Sequence, residues 1–104
     1  MTVGIYKATR SFPKEELYGV VSQLRRAASS VAANIAEGCG CNSNREFARF
    51  LGIALRSASE TEYHLLLAQD LGYLDTETYE SLNDQVIEVK RMLTGLIEKL
   101  NADS

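Results

Sequence analysis

The spacing of apolar residues is the feature that most constrains how this chain folds. In three long segments these residues recur every three or four positions, which is the period of an amphipathic α-helix. The predicted core stripes are Leu17, Val20, Val21, Leu24, Ala28, Val31 and Ile35, then Phe47, Leu51, Ala54, Leu55, Ala58, Leu65 and Leu66, and finally Tyr79, Leu82, Val86, Val89, Leu93, Leu96 and Leu100. The pattern predicts three long helices and no sheet.

Helix-breaking and helix-capping residues set the predicted ends of these helices. Pro13 suits the first position of the first long helix, and a glycine within 38–40 ends it in the left-handed C-cap conformation. The sequence at 43–46 is a capping box for the next helix. Gly72 ends that helix, and either residue 75 or residue 76 caps the last one.

Only a stub of about two helical turns precedes Ser11, and it completes the set of four helices. Because short connections force consecutive helices to run antiparallel, we predict an all-α, antiparallel up-down four-helix bundle with a shortened first helix, in a single domain spanning 1–104. So short a first helix leaves the bundle open at one end, or else a neighbouring subunit covers that end.

Charge is distributed unevenly along the chain, whose net charge is −3. Residues 1–56 carry eight basic and four acidic side chains, whereas residues 57–104 carry three basic and ten acidic ones. The halves either neutralise each other, within the bundle or between subunits, or direct one surface toward a polyanion.

No apolar run reaches the ~20 residues of a membrane span, and residues 1–10 lack the features of a signal peptide. A cytoplasmic location is therefore expected.

The residue types that carry catalysis or hold metals are scarce. His64 is the only histidine, and Cys39 and Cys41 lack the number and spacing of ligands in a structural zinc site. Glu60 and Glu62 fall on opposite faces of their helix, so they do not jointly flank a substrate. We expect no enzyme activity, no catalytic, cofactor-binding or metal residues, no cofactor and no small-molecule substrate.

The second and third helices are unusual because their far sides, away from the core stripe, are not uniformly polar. Small residues dominate the far side of the second helix, and arginines alternate with large apolar groups on the third, a composition typical of interfaces. The predicted homo-oligomer interface is formed by Ser22, Arg26, Ser29, Ala33, Ala36, Ile53, Tyr63 and Leu67. The alternative is that these two helices are central and pack on both sides within one chain.

Glu62 lies inside the predicted apolar stripe of the third helix. A buried carboxylate needs a partner, because an unpaired buried charge is very costly. Arg25, on the flank of the stripe of the second helix, is the candidate for a buried ion pair with Glu62. The alternative is that Glu62 lies at a seam between helices and reaches water.

Several motifs in this order and spacing resemble the four-helix-bundle family of bacterial 23S rRNA intervening-sequence proteins, also labelled S23. They are the segments at 12–19, 22–28, 33–38, 46–57, 65–68 and 71–74, and the resemblance extends from Ile5 to about Leu100. It implies a ring-like homopentamer with no known catalytic residue. In related accessory variability proteins of diversity-generating retroelements, a basic barrel binds nucleic acid and the reverse transcriptase.

Individual positions match the family motifs or depart from them. Arg25 and Arg26 match its Gln-Leu-Arg-Arg motif, and Asn34, Glu37 and Gly38 match its Asn-Ile-Ala-Glu-Gly motif. The first helix is about a dozen residues shorter than is usual in the family. A cysteine stands at position 41, where arginine is common, and the chain is acidic overall. Both the cysteine and the acidity weaken a nucleic-acid role, because affinity for phosphates comes largely from Lys and Arg.

Two functional hypotheses follow. The first is a non-enzymatic, homo-oligomeric interaction or scaffold protein whose partner is itself. The alternative is a nucleic-acid-binding accessory protein that acts on structured RNA or DNA, or with a reverse transcriptase. The second hypothesis uses an arginine stripe made of Arg26, Arg45, Arg49 and Arg56.

Overall fold

The structure, a computed structural model, describes residues 1–103, and most of them lie in four α-helices. They are α1 (Thr2–Thr9), α2 (Val20–Cys39), α3 (Asn44–Asp70) and α4 (Thr76–Ala102), with a short 3-10 turn at Lys14–Glu16. No strand occurs within residues 1–103. The predicted all-α class and the four helices are confirmed.

The helix predicted to begin at Pro13 begins seven residues later, at Val20. Pro13 instead precedes the 3-10 turn. The backbone N–H of Gly19 donates to the carbonyl of Glu16, and bonding four residues apart starts only where Gln23 N donates to Gly19 O, at 3.0 Å. The chain therefore turns before α2 starts, and Leu17, predicted to lie in the core stripe, is 48% exposed.

Glycines act differently at the ends of α2 and α3. The predicted left-handed cap at 38–40 is wrong, because φ of Gly40 is −86° and its N–H donates to the carbonyl of Glu37 in a right-handed turn. Gly72 does take a left-handed conformation, with φ of +80°. Its N–H donates to Gln69 O, and the next N–H, of Tyr73, donates to Ala68 O, which closes α3.

The N-terminal caps of the last two helices are side-chain oxygens. Ser43 Oγ accepts a hydrogen bond from Glu46 N at 3.1 Å, and Asp75 Oδ1 accepts one from Thr78 N at 2.7 Å. The reciprocal half of the predicted capping box is not formed, since the Glu46 carboxylate accepts hydrogen bonds from Arg49 instead. Asp75, rather than Thr76, is the cap of α4.

Helix α3 is the centre of the bundle. It packs against both α2 and α4, which have no Cα atoms within 8 Å of each other. Its buried stripe is lined mainly by small side chains, which let both neighbours approach closely. The stripe consists of Leu51, Ala54, Ser57, Ala58, Thr61, Leu65 and Ala68.

Helix α1 fills one half of the groove between α2 and α4. Its Ile5 is fully buried, Thr2 Oγ1 donates to Ala28 O of α2, and a Cβ on Gly4 would lie 3.1 Å from the Leu82 side chain of α4. The other half of the groove is an open apolar trough of about 250 Å³. This trough is lined by Ile35, Leu51, Val89, Met92, Leu93 and Leu96.

None of the helices in residues 1–103 combines the length and the apolar character that a membrane span requires.

Gly38 provides a test of the α2–α3 packing. A Cβ at this position would lie 2.7 Å from Phe47 Cδ1 and 3.1 Å from Phe50 Cβ, so the Phe47 ring, and α3 near Phe50, would have to move away from α2. We expect Gly38→Ala to lower the free energy of unfolding by about 1–3 kcal/mol, the usual cost of overpacking. Urea unfolding followed by circular dichroism at one fixed protein concentration measures it.

Gly52→Ala is the matched control, because nothing lies within 4 Å of a Cβ at that position of α3. Alanine is the better helix former, so this variant should gain roughly 0.5–1 kcal/mol. An equal gain in stability for both variants would show that α2 and α3 are not in close contact at Gly38.

Candidate interaction surfaces

The structure brings the predicted interface residues of α2 and α3 onto one side of the bundle, called the outer face below. Arg26 of α2 pairs with Glu60 of α3 across this face, which shows that the far sides of the two helices adjoin. Tyr63 is 59% exposed. Of the other predicted residues, Ser22, Arg26, Ala33 and Ala36 are exposed, and Ser29, Ile53 and Leu67 are half-buried.

Pairing reduces the positive charge of the predicted arginine stripe. Besides Glu60, Arg26 donates to Gln23 Oε1 at 2.9 Å. Arg49 donates to the carboxylate of Glu46, and this hydrogen bond lowers the pKa of Glu46 below its usual range. Arg45 and Arg56 are exposed, and neither forms an ion pair with another residue of the described chain. Half of the stripe is thus already neutralised.

A small polar seam, which the sequence analysis missed, lies under the outer face. Ser30 Oγ and Ser57 Oγ are 2.8 Å apart across the α2–α3 contact, and Asn34 Nδ2 donates to Ser30 O at 2.8 Å. The sequence feature that could have predicted this seam is the presence of small polar residues at helical spacing on both helices. The seam joins the two helices while leaving their backbones close together.

The predicted ion pair between Arg25 and Glu62 does not form. Arg25 Nε donates to Thr9 Oγ1 at 2.9 Å, and its guanidinium lies 4.7 Å from the ring centroid of Tyr6. Glu62 instead accepts a hydrogen bond from Lys90 Nζ at 2.7 Å. The reason is geometric, since Glu62 faces α4 whereas Arg25 faces α1. The side chains of Glu62 and Lys90 are each about one-third exposed, as expected if Glu62 lies at a seam between helices.

Tyrosines and cations form a second surface where α1 meets the start of α2. An open groove here is lined by Tyr6, Leu17, Tyr18, Val21, Ser22, Arg25 and Arg26. Tyr18 is 90% exposed. The apolar spacing does not predict this surface, because it places Leu17 in the core of the first long helix, whereas α2 begins only at Val20 and Leu17 precedes it.

The single histidine and the two cysteines do not converge. His64 Nε2 lies 3.6 Å from Glu60 Oε1, and its Nδ1 is buried without a hydrogen-bond partner in the described chain. Cys41 Sγ donates to Glu37 O at the end of α2, and Cys39 is exposed there. Within residues 1–103, no three His, Cys, Asp or Glu side chains are arranged so that they could hold a metal ion.

Comparisons with known proteins agree with this architecture. A family model described as 23S rRNA-intervening sequence protein matches residues 1–95. A crystal structure of a protein with unknown function, from the S23 ribosomal protein family of Bacteroides thetaiotaomicron, is similar to this chain, with a TM-score of 0.82 and 33% sequence identity. That similarity covers 92% of this chain and 87% of the other chain. No curated protein matches the sequence. Because the family model spans most of its length, this chain belongs to the family of 23S rRNA-intervening sequence proteins.

Proposed function

We propose that this protein is a non-enzymatic scaffold that self-associates through the outer face of α2 and α3. The observation that carries the proposal is that this face exposes small and apolar side chains while its central charges are already paired. The resemblance to the family adds a homopentamer as the expected assembly. The proposed location of the protein is the cytoplasm.

Small residues suit α2 for close contact with another subunit. Ala33 and Ala36 are exposed in the C-terminal half of the helix, on a side where a solvated helix usually carries charge. Without bulky side chains there, the backbone of a neighbouring helix is able to approach closely. The neighbouring Arg26 is paired with Glu60, so burying it does not leave an uncompensated charge.

Tyr63 of α3 is the proposed anchor of the contact. Its ring is exposed and packs edge-on against His64, with the ring centroids 5.2 Å apart. Exposed tyrosines are enriched among the residues that dominate binding energy, because they bury a large area at a small cost in conformational entropy. Ile53, half-buried on the same side of α3, extends the apolar surface around it, and Leu67, also half-buried there, packs in part against the core.

The comparisons name no enzyme. The family description carries no enzyme name, and the similar solved structure is described as a protein with unknown function. Support for self-association therefore comes from the composition of the outer face itself.

Ala33→Glu tests the interface directly. A glutamate here would have to be desolvated against the neighbouring subunit without a partner, which costs several kcal/mol when burial is complete. We expect the native mass, measured by light scattering, to fall to that of a single chain, while helicity measured by circular dichroism is largely retained.

Thr94→Glu is the matched control, since it adds the same charge to an exposed position of α4 outside the outer face. It should leave the native mass unchanged. If Ala33→Glu also kept the wild-type mass, the proposed interface would be wrong.

Nucleic-acid binding is the alternative function, and the arginine stripe is its basis. Because two of the four arginines are paired, we expect neither RNA nor DNA to be retarded in a gel-shift assay at low salt. Binding that weakens steeply with rising salt, and that is lost in the double variant Arg45→Gln and Arg56→Gln, would favour the alternative.

A further inference from the structure

The apolar trough between α2 and α4 continues the groove in which α1 lies. Helix α1 runs antiparallel to both neighbours, and at its first turn Thr2 Oγ1 donates to the carbonyl of Ala28 in α2. One turn later Gly4 lies against the Leu82 side chain of α4. Beyond Ala28, α2 goes on to Cys39, a further eleven residues or about 16 Å. The groove is therefore filled along one part of its length and open along the other.

The open part of the groove is wide enough for another helix. Where α1 is present, it separates α2 from α4. Past the start of α1 the gap does not close, because no Cα atoms of α2 and α4 within the described chain come within 8 Å of each other. Leu51 of α3, which is fully buried, forms the floor. The trough is thus bounded by three helices, as the seat of α1 is.

The α4 wall of the trough is the same side of α4 that contacts α1. Val89 and Leu96 follow Leu82 at intervals of seven residues, so the three side chains lie in one row along the helix. Leu82 is covered by α1, whereas Leu96 is 38% exposed and the adjacent Met92 is 65% exposed. Methionine adapts its shape to irregular apolar partners. This row therefore continues the α1 contact surface without the helix that would cover it.

The α2 wall is small and apolar. Ala32 lies one turn beyond Ala28 and is exposed, so no bulky side chain keeps a neighbouring backbone away. Ile35, half-buried, completes this wall. No charged or aromatic side chain lines the trough. Such walls suit aliphatic side chains and offer nothing to hold a phosphate, a nucleic-acid base or an acidic peptide.

The start of α1 indicates the direction of a helix in the trough. The first N–H groups of an α-helix have no carbonyl one turn back. In α1 the N-cap is Met1, whose side chain does not cap these groups, and the first turn has no acidic residue. A helix lying parallel to α1 would bring its last carbonyls toward these donors and align the two helix dipoles head to tail.

The helices of a second copy of this chain do not suit the trough. Outside the trough itself, none of the four helices in residues 1–103 exposes more than two large hydrophobic side chains. On α3, for example, they are Tyr63 and Leu66, which lie within a single turn. A helix that binds in a groove presents apolar anchors over at least two turns. The better occupant is a helix of a different polypeptide.

We infer that the trough binds an amphipathic helix of another protein, parallel to α1, through a stripe of aliphatic side chains at every third or fourth position. This inference goes beyond the proposed self-association. Leu51 of α3 faces the trough, whereas Ile53 and Tyr63 belong to the outer face on the far side of the same helix. Both surfaces are therefore able to be occupied at once, and the scaffold would hold a second protein by its helix.

A designed peptide is the probe for this site. It is a fluorescein-labelled helix of about fourteen residues, built from Ala, Glu and Lys with leucine at every third or fourth position. The control peptide has the same composition, with its leucines distributed around the helix. We expect fluorescence anisotropy to show saturable binding of the first peptide to the native protein and no binding of the control peptide at the same concentrations.

Met92→Glu is the variant that tests the site. Because Met92 is largely exposed, circular dichroism should show unchanged helicity. The added carboxylate would lie against the aliphatic stripe of the peptide, so we expect the Kd to rise at least about tenfold. Thr94→Glu adds the same charge to an exposed position of α4 that does not line the trough, and it should bind the peptide as the wild type does.

A linked peptide makes the result independent of the affinity of the free peptide. Joined by its C-terminus to Met1 through a short Gly-Ser linker, the peptide is present at a high effective concentration. We expect the linked leucine stripe to raise the urea midpoint of unfolding of the wild type but not of Met92→Glu. The linked control peptide should raise neither midpoint.

The inference is wrong if the leucine stripe neither binds when free nor raises the urea midpoint when linked, or if Met92→Glu responds to it as the wild type does. A fall in the native mass of Met92→Glu, measured by light scattering without peptide, would also overturn it, because a second copy would then occupy the trough. Absence of peptide binding leaves self-association through the outer face in place, since Ala33→Glu tests that contact separately.

Discussion

The close approach of α2 and α4 to a single central helix is the constraint on which the rest of the structure depends. Ala54, Ala58 and Ala68 of α3 are fully buried, and so is Thr61, whose hydroxyl donates to the carbonyl of Ser57 in its own helix. Because these side chains are small, both neighbours are close to the α3 backbone. Their own large residues, such as Leu24 and Val86, then complete the core.

Most of the fold could be predicted from the sequence, because long helices with regular apolar spacing leave few alternatives. Gly72 was correctly placed at the end of α3, and Asp75 is one of the two residues expected to cap α4, since each has a local conformational reason to stand at a helix end. The errors at Pro13 and Gly40 have one cause. Both residues are compatible with more than one turn, and hydrogen bonds to neighbouring carbonyls, which a sequence does not reveal, decide between them.

Side-chain partners across helices were harder to predict than helices. Apolar spacing suggests for Glu62 either a buried pair with Arg25 or a position at a seam, and the rotation of α3 turns this carboxylate toward Lys90 of α4, at such a seam. A helical wheel gives the side of a residue on its own helix but not the neighbour that lies there. The outer face could be predicted, because it depends only on the helical period of α2 and α3. The groove with Tyr6 and Tyr18 could not, because it forms only where α1 packs beside the start of α2.

The brevity of α1 has a consequence for local stability. Helix α1 has only eight residues, and it is held to the bundle chiefly by buried Ile5 and by the hydrogen bonds at Thr2 and Thr9. Local opening costs less free energy where fewer contacts must be broken, so backbone amides of α1 should exchange with solvent deuterium well before those of α3. The exposed cations Lys7 and Arg10 are therefore carried on, or next to, the helix that should open before α3 does.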